Sequence, residues 1–114
     1  MTPKTNSLTH LLPNPENPTR VVVLGARGFI GRSLLKALEK EGIPHLALTS
    51  SDLDLTADGA NEKLISLLQF SDSVVFLSAL TPDKGRGIGP FLKNMDMAAN
   101  VCLALEQVPP AHVV

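Results

Sequence analysis

Short apolar runs alternate with longer amphipathic stretches over most of the chain. The run at 20–24 is apolar at successive positions after its first residue, which is typical of a parallel strand buried on both faces. Leucines at helical spacing follow it, and Gly42 and Pro44 supply a stop for that helix. By the same criteria, the remaining pattern predicts helices at 60–68 and 91–105 and strands at 45–49, 73–78 and 112–114.

Strands that alternate with helices of this length indicate βαβ units, and therefore an α/β fold with a parallel sheet. We expect a Rossmann-type sheet in the strand order 3-2-1-4, with helices on both faces. Right-handed crossovers would then place the first two helices on one face and the third on the other. The third helix is expected to bury the face formed by Phe91, Met95, Ala98, Cys102 and Leu105.

The last predicted strand bears on the extent of the domain. In the expected order residues 112–114 lie in the middle of the sheet, and nothing after them covers the outer edge of that strand. Unpaired backbone groups and bare apolar surface in a buried strand are unfavourable. We therefore expect a Rossmann domain at 20–114 that is incomplete at its C-terminus, in a fragment of a longer protein.

Residues 1–19 differ in composition from the rest of the chain. They are mostly polar and contain Pro3, Pro13, Pro15 and Pro18. Because proline fixes φ and removes a backbone donor, this stretch is expected to be a disordered leader that precedes the domain.

The 114 residues suffice for one small domain, and their formal net charge is -1. This charge argues against a nucleic-acid partner bound through a strongly basic surface.

No apolar run approaches the ~20 residues that cross a bilayer, and the N-terminus lacks the layout of a signal peptide, so no membrane is expected as a partner. The single cysteine has no disulfide partner, and no Cys/His cluster has the spacing of metal ligands. A cytoplasmic protein without a metal site is the expectation.

Three glycines at three-residue spacing directly follow the first strand and open the first helix: Gly25, Gly28 and Gly31. In this context Gly25 allows the tight turn, Gly28 leaves the backbone open to a pyrophosphate, and Gly31 lets the helix lie close to the strand. The helix N-terminus adds unpaired N–H donors for an anion. The loop therefore predicts a site for the pyrophosphate of NAD(P).

In these features the sequence resembles the extended short-chain dehydrogenase/reductase family, whose members include nucleotide-sugar epimerases, dehydratases and reductases. The resemblance covers residues 20–114. It rests on the glycine loop with its apolar pair Phe29-Ile30, on residues 52–56 and 77–80, and on a helix in which Asn94 lies six residues before Asn100.

The resemblance implies roles for particular residues. In the dehydrorhamnose reductases and GDP-fucose synthases that residues 52–56 resemble, the position of Asp54 faces the adenine amino group and that of Leu55 lies beside the ring. Residues 77–80 resemble a stretch that lines the cofactor, and Asn94 matches an asparagine that approaches it, although the Gly-Thr of that helix pattern is Met97-Ala98 here. The loop and the resemblance together give the following cofactor-binding residues: Gly25, Arg27, Gly28, Phe29, Ile30, Gly31, Ser50, Asp54, Leu55, Leu77, Ser78, Ala79, Leu80 and Asn94.

The end of the second strand favours NADP over NAD. NAD-binding proteins tend to carry an acidic residue there, which binds the ribose hydroxyls. This chain has Thr49, Ser50 and Ser51 at that point, and Arg27 could add a charge-assisted bond to a 2′-phosphate. Asp52 lies close enough in sequence to contact a ribose, so NAD remains an alternative cofactor.

In the resembled family the chemistry depends on a Tyr-x-x-x-Lys pair and on a Ser or Thr after the fourth strand. This chain contains no tyrosine. We therefore expect the cofactor-binding portion of an oxidoreductase, epimerase or dehydratase, inactive alone, whose parent acts on a nucleotide sugar or a similar small-molecule carbinol. The parent could form a homodimer. The alternative is a non-catalytic module that senses NADP(H) or serves as a partner subunit.

Overall fold

The computed structural model describes residues 16–79 and 87–114. Most of the predicted leader at 1–19 lies outside the described residues, and so does Leu80. Every predicted strand and helix is present, and the third helix starts earlier and ends later than predicted. In chain order the elements are β1 (Arg20–Leu24), α1 (Phe29–Lys40), β2 (His45–Leu48), α2 (Ala60–Leu67), β3 (Asp72–Phe76), α3 (Ile88–Gln107) and β4 (His112–Val113).

The four strands form one parallel sheet in the order β2-β1-β3-β4. β1 is an inner strand, and its Val22 pairs with Leu46 of β2 on one side and with Val74 of β3 on the other. The apolar residues of β1 are all buried, which is what the sequence predicted for a strand covered on both faces. The predicted class, an α/β fold with a Rossmann-type parallel sheet and helices on both faces, is confirmed.

The predicted strand order 3-2-1-4 is wrong. It placed the third strand beside β2, whereas β3 lies beside β1, on the side away from β2. The chain therefore moves from β1 to β2 in one direction along the sheet, and from β2 to β3 and β4 in the other. Because such crossovers are right-handed, the reversal places α1 on one face and both α2 and α3 on the other, instead of α1 with α2.

The two core clusters show these two faces. On the α1 side, Leu38 lies in a small cluster with Val21, Val23 and Ala26. The larger cluster on the opposite side contains Val22, Leu24 and Val74 of the sheet together with Leu53, Leu55, Leu64, Met97, Val101 and Ala104. The buried leucines 53 and 55 hold the connection after β2 against this second face. This connection therefore leads to α2 on the face opposite α1.

α3 buries a different face from the predicted one. Met97, Val101 and Ala104 are buried, whereas Phe91 and Cys102 of the predicted face are exposed. Apolar residues occur on nearly all sides of this helix, so their spacing does not single out one stripe. Within the described ranges, no helix combines the length and the apolar character that a membrane crossing requires.

An ion pair joins the amino ends of β1 and β3. Arg20 Nε donates to Asp72 Oδ1 at 2.9 Å, and Arg20 Nη2 donates to Asp72 Oδ2 at 2.7 Å. The same Nη2 donates to the Leu67 carbonyl at 2.9 Å, and the Gln69 N–H donates to Asp72 Oδ2 at 2.8 Å. The Asp72 side chain is only 2% exposed. Burial pushes the pKa of Asp72 up, but the hydrogen bonds from Arg20 and Gln69 and the charge of Arg20 bring it below its usual value.

Replacing this carboxylate is expected to destabilise the fold in a pH-dependent way. Asp72→Asn should lower the free energy of unfolding at neutral pH by about 2 to 3 kcal/mol, because it leaves Arg20 without its charged partner. The pKa of Asp72 is lower in the folded chain than the ~3.9 of an unfolded aspartate, so its contribution is present above that value and disappears as pH falls through the folded pKa.

Urea denaturation of both proteins between pH 7 and pH 2.5 measures this difference. Asp58→Asn is the matched control, since Asp58 is exposed. A constant difference between wild type and Asp72→Asn across that pH range would contradict the prediction.

Candidate functional site

The turn from β1 into α1 lies at the carboxyl edge of the sheet, where two strands approach it closely. The Gly25 N–H donates to the Leu48 carbonyl of β2 at 3.0 Å, and the Leu77 N–H donates to the Leu24 carbonyl at 2.8 Å. Gly25 has a φ of +91°, and a Cβ there would stand 2.8 Å from the Ser78 nitrogen. No residue with a side chain fits this position without displacing backbone.

The other two glycines of the loop differ in what surrounds them. A Cβ at Gly31 would stand 2.7 Å from the Gly25 oxygen and 2.9 Å from Ala26 Cα, so α1 lies directly against the turn. Gly28 caps α1 with an ordinary φ of −68°. A Cβ added at Gly28 would have the Gly25 oxygen as its nearest neighbour, at 3.8 Å. The contacts of the described residues therefore require glycine at Gly31 but not at Gly28.

The first turn of α1 is open to a ligand. No side chain in the described part of the chain caps its N-terminus, so N–H groups of the first turn have no side-chain acceptor there. Two large apolar side chains stand on this turn in contact with solvent, since Phe29 is 82% and Ile30 is 65% exposed. Bare backbone donors beside exposed apolar side chains suit an anion attached to an organic group.

Arg27, within this loop, contacts the segment that follows β2. Arg27 Nη2 donates to Ser51 Oγ at 3.3 Å. The carboxylate of Asp52 is held by its own turn, because Oδ2 accepts from the Thr49 N–H at 2.8 Å and from the Thr49 hydroxyl at 3.0 Å. These two bonds lower the pKa of Asp52, and the charges of Arg27 and Lys63 lower it further.

Asp54 lies in a short segment that is fixed by buried side chains and hydrogen bonds. The side chains of Leu53 and Leu55 on either side of it are buried, and Asn100 of α3 donates from Nδ2 to the Leu55 carbonyl at 2.7 Å. Asp54 itself is exposed, and its Oδ1 accepts from the Thr56 hydroxyl at 2.6 Å and from the Thr56 N–H at 3.0 Å. These bonds, followed by the charge of Lys93, lower the pKa of Asp54, which is therefore ionised at neutral pH.

A cleft of about 220 Å³ lies between this segment and α3, and we call it the α3 cleft. It brings together residues that are far apart in sequence. Its walls are formed by Ser50, Leu53, Asp54, Leu55, Thr56, Ser78, Lys93 and Met97.

Four of these wall residues are among the predicted site residues: Ser50, Asp54, Leu55 and Ser78. Lys93 and Met97 were not predicted, and their spacing of four residues on a helix was the available signal. Leu77 instead contacts the core under α1, and Ala79 and Asn94 are not among the residues that line the cleft. Arg27 and residues 28–31 belong to the adjoining glycine loop, and Leu80 lies outside the described residues.

A neighbouring cleft of about 310 Å³ opens on the other side of Thr56. Its walls include the carboxylates of Asp58 and Asp96, and none of the described residues that line it is basic. Two carboxylates without a counter-charge disfavour a phosphate-bearing ligand there. The α3 cleft, which adjoins the glycine loop through Ser78, is the better candidate.

Comparison with known proteins identifies the family. The family model described as "NAD dependent epimerase/dehydratase family" matches residues 21–114. The chain belongs to this family. The resemblance inferred from the glycine loop and residues 52–56 is thereby confirmed, and the family supports a nicotinamide dinucleotide as the cofactor. No curated protein matches the chain.

Solved structures show the same fold. A GDP-L-fucose synthetase from Naegleria fowleri superposes with a TM-score of 0.74 at 20% identity, covering 90% of this chain and 32% of its own. A structure of that synthetase bound to NADP gives 0.74 at 19% identity, with 96% of this chain and 35% of its own covered. A small-chain dehydrogenase gives 0.57 at 19% identity, with 79% and 52% covered. The chain thus spans about a third of the length of the synthetase.

The different surroundings of Gly31 and Gly28 predict that the same added methyl group destabilises the fold much more at Gly31 than at Gly28. Gly31→Ala should lower the free energy of unfolding by about 1 to 3 kcal/mol, because the new Cβ would overlap backbone atoms. Gly28→Ala should change it by less than about 1 kcal/mol, the usual range for this replacement at a helix cap. Chemical denaturation measures both. Equal losses in the two variants would contradict the assigned packing.

Proposed function

We propose that this chain binds NAD(P), with the pyrophosphate on the loop Gly25–Gly31 and the adenine in the α3 cleft. The observation that carries the proposal is the open backbone at Gly28, where the described residues leave room for a side chain and yet none is present. A ligand that approaches this backbone explains the glycine. The α3 cleft begins at Ser78, beside Gly25, which places a second binding region next to the loop.

The site has the groups that such a cofactor needs. The first turn of α1 offers N–H donors to the pyrophosphate, and Asp54 offers a carboxylate to an exocyclic amino group, while Leu55 supplies apolar surface for a ring. Of the predicted residues, Phe29, Ile30, Leu77, Ala79, Leu80 and Asn94 remain proposed contacts. Bound NAD(P) would supply hydride transfer, and these residues would hold and orient it.

We further propose a preference for NADP. Arg27 already donates to Ser51 at the end of β2, so a guanidinium and a hydroxyl stand together where a 2′-phosphate would lie. The Asp52 carboxylate, the group that would favour the ribose hydroxyls of NAD, is held against Thr49 by two hydrogen bonds. The positive charge of Arg27 also offsets its negative charge.

The parent activity that we propose is that of an oxidoreductase, epimerase or dehydratase acting on a nucleotide sugar or a similar carbinol. Membership of an NAD-dependent family supports this class. Since the chain has no tyrosine, the tyrosine that the resemblance implies for proton transfer would come from residues other than these 114. We keep the homodimer, the cytoplasmic location and the limits at 1–19 and 20–114 as proposals.

The absence of tyrosine also favours a second candidate, a non-catalytic module that binds NADP(H) as a sensor or as a partner subunit. Both candidates require the same cofactor site and differ only in the source of the proton-transfer group. A reading frame that encodes Tyr-x-x-x-Lys in the same polypeptide would favour the enzyme over the non-catalytic module.

Filling the space at Gly28 tests the cofactor site. Gly28→Val should abolish detectable NADPH binding in calorimetry while the chain stays folded, because the side chain enters space that the protein leaves open. Ala37→Val, on the exposed side of α1, is the matched control and should bind as the wild type does. If Gly28→Val binds NADPH with unchanged affinity, the assignment of the pyrophosphate site is wrong.

Removing the guanidinium tests the choice of cofactor. Arg27→Ala should weaken NADPH binding by about tenfold or more and leave NADH binding nearly unchanged, since only NADPH carries the 2′-phosphate. Arg32→Ala removes an exposed arginine of α1 and serves as the control. If both dinucleotides lose affinity equally in Arg27→Ala, Arg27 does not contact a 2′-phosphate.

A further inference from the structure

Two residues of the α3 cleft are not explained by the proposed function. Lys93 and Met97 both line it, and they lie four residues apart on α3, so they share one face of the helix. Met97 is 7% exposed and forms part of the larger core. Lys93 is exposed. The α3 side of the cleft thus has an apolar base and a cation at its rim.

The opposite wall carries the complementary charge. Asp54 lines the same cleft from the segment after β2, and its side chain is exposed. Lys93 acts electrostatically on this carboxylate, since its charge is one of the causes that lower the pKa of Asp54. Both hydrogen bonds to Asp54 from described residues end on Oδ1. Oδ2 can therefore accept from a ligand or from an ammonium group.

The space between these two charges suits a flat aromatic ring. Leu55 on one wall and Met97 on the other are apolar, and a thioether makes favourable contacts with aromatic rings. The lysine stem is a flexible apolar chain that can cover such a ring while its ammonium group stays in water. The cation and the carboxylate would then lie above the ring edge.

We propose that Lys93 is a positioning residue that pairs with Asp54 across the mouth of the α3 cleft and retains the base of a bound nucleotide beneath the pair. This inference rests on the proposed function, which places the adenine in that cleft. It assigns to Lys93 a role in holding the base and none in binding a phosphate.

Two other roles for Lys93 predict different results. Asp96 lies three residues further on α3 and could attract the ammonium group along the helix, although Asp96 lines the neighbouring cleft. Alternatively, the ammonium group could bind a phosphate of the cofactor. The ligands adenosine, 5′-AMP and 2′-AMP separate these roles, because adenosine is uncharged and the other two carry one phosphate at different positions.

The experiment measures the dissociation constants of the three ligands and of NADPH by NMR titration of the full chain. In Lys93→Met all three small ligands should bind about two- to fivefold more weakly, the size of effect found for exposed ion pairs. Lys93→Arg should restore binding, since it keeps the charge. Asp96→Asn and Lys40→Met, which change exposed residues outside the cleft, should bind as the wild type does.

Salt provides a readout that a merely structural role would not change. Wild-type affinity for adenosine should fall between low salt and about 1 M salt, where the Debye length shrinks to about 3 Å, whereas that of Lys93→Met should stay constant. Thermal melting of each variant verifies that it is folded.

The outcomes distinguish this inference from the function on which it rests. If wild type binds neither NADPH nor the small ligands, the proposed function fails and the inference fails with it. If wild type binds NADPH but not adenosine, or if Lys93→Met binds adenosine with wild-type affinity, only the inference is overturned. It is likewise overturned if the loss in Lys93→Met is confined to 5′-AMP or 2′-AMP, or if Asp96→Asn reproduces that loss.

Discussion

The structure depends on a close approach of backbone to backbone at the carboxyl edge of β1. Gly25 lies between the Leu48 carbonyl and the Ser78 nitrogen, and Gly31 places the first turn of α1 against the same point. Side chains at either position would push α1 or the end of β3 away. Because both stay close, the N-terminus of α1 opens directly beside the end of β3, and an added Cβ at Gly28 would have only the Gly25 oxygen within 4 Å among the described residues.

The order of the strands then determines what else reaches this edge. Since β3 lies beside β1 and not beside β2, the crossover through α2 runs over the face opposite α1, and α3 follows it there. α2 and α3 therefore lie side by side, and Asn100 of α3 can donate to the Leu55 carbonyl. In the order 3-2-1-4, α2 and the segment that leads to it would lie on the α1 face, away from α3, and α3 would form no wall opposite Asp54.

Sequence patterns within a single structural unit predicted some of these features and could not predict others. The spacing of Gly25, Gly28 and Gly31 predicted the loop because each glycine acts within one strand-turn-helix unit. The wall formed by Lys93 and Met97 was missed because it depends on which side of α3 packs against the sheet, and a helix that is apolar nearly all round does not reveal its buried side. The pair Arg20 and Asp72 was missed for a related reason, since its partners are 52 residues apart and meet only through the β1–β3 register.

The segment after β2 shows how a loop can be both charged and rigid. Asp52 and Asp54 each accept two hydrogen bonds from a nearby threonine, so both carboxylates are ionised and held in place before any ligand arrives. Such pre-organisation reduces the conformational entropy that binding must remove. The two carboxylates nevertheless face different cations, because Arg27 acts on Asp52 at the β2 end and Lys93 acts on Asp54 at the α3 cleft. A ligand that extends from the loop into the cleft would therefore meet a cation at two separate points, which allows the ribose end and the base to be recognised independently.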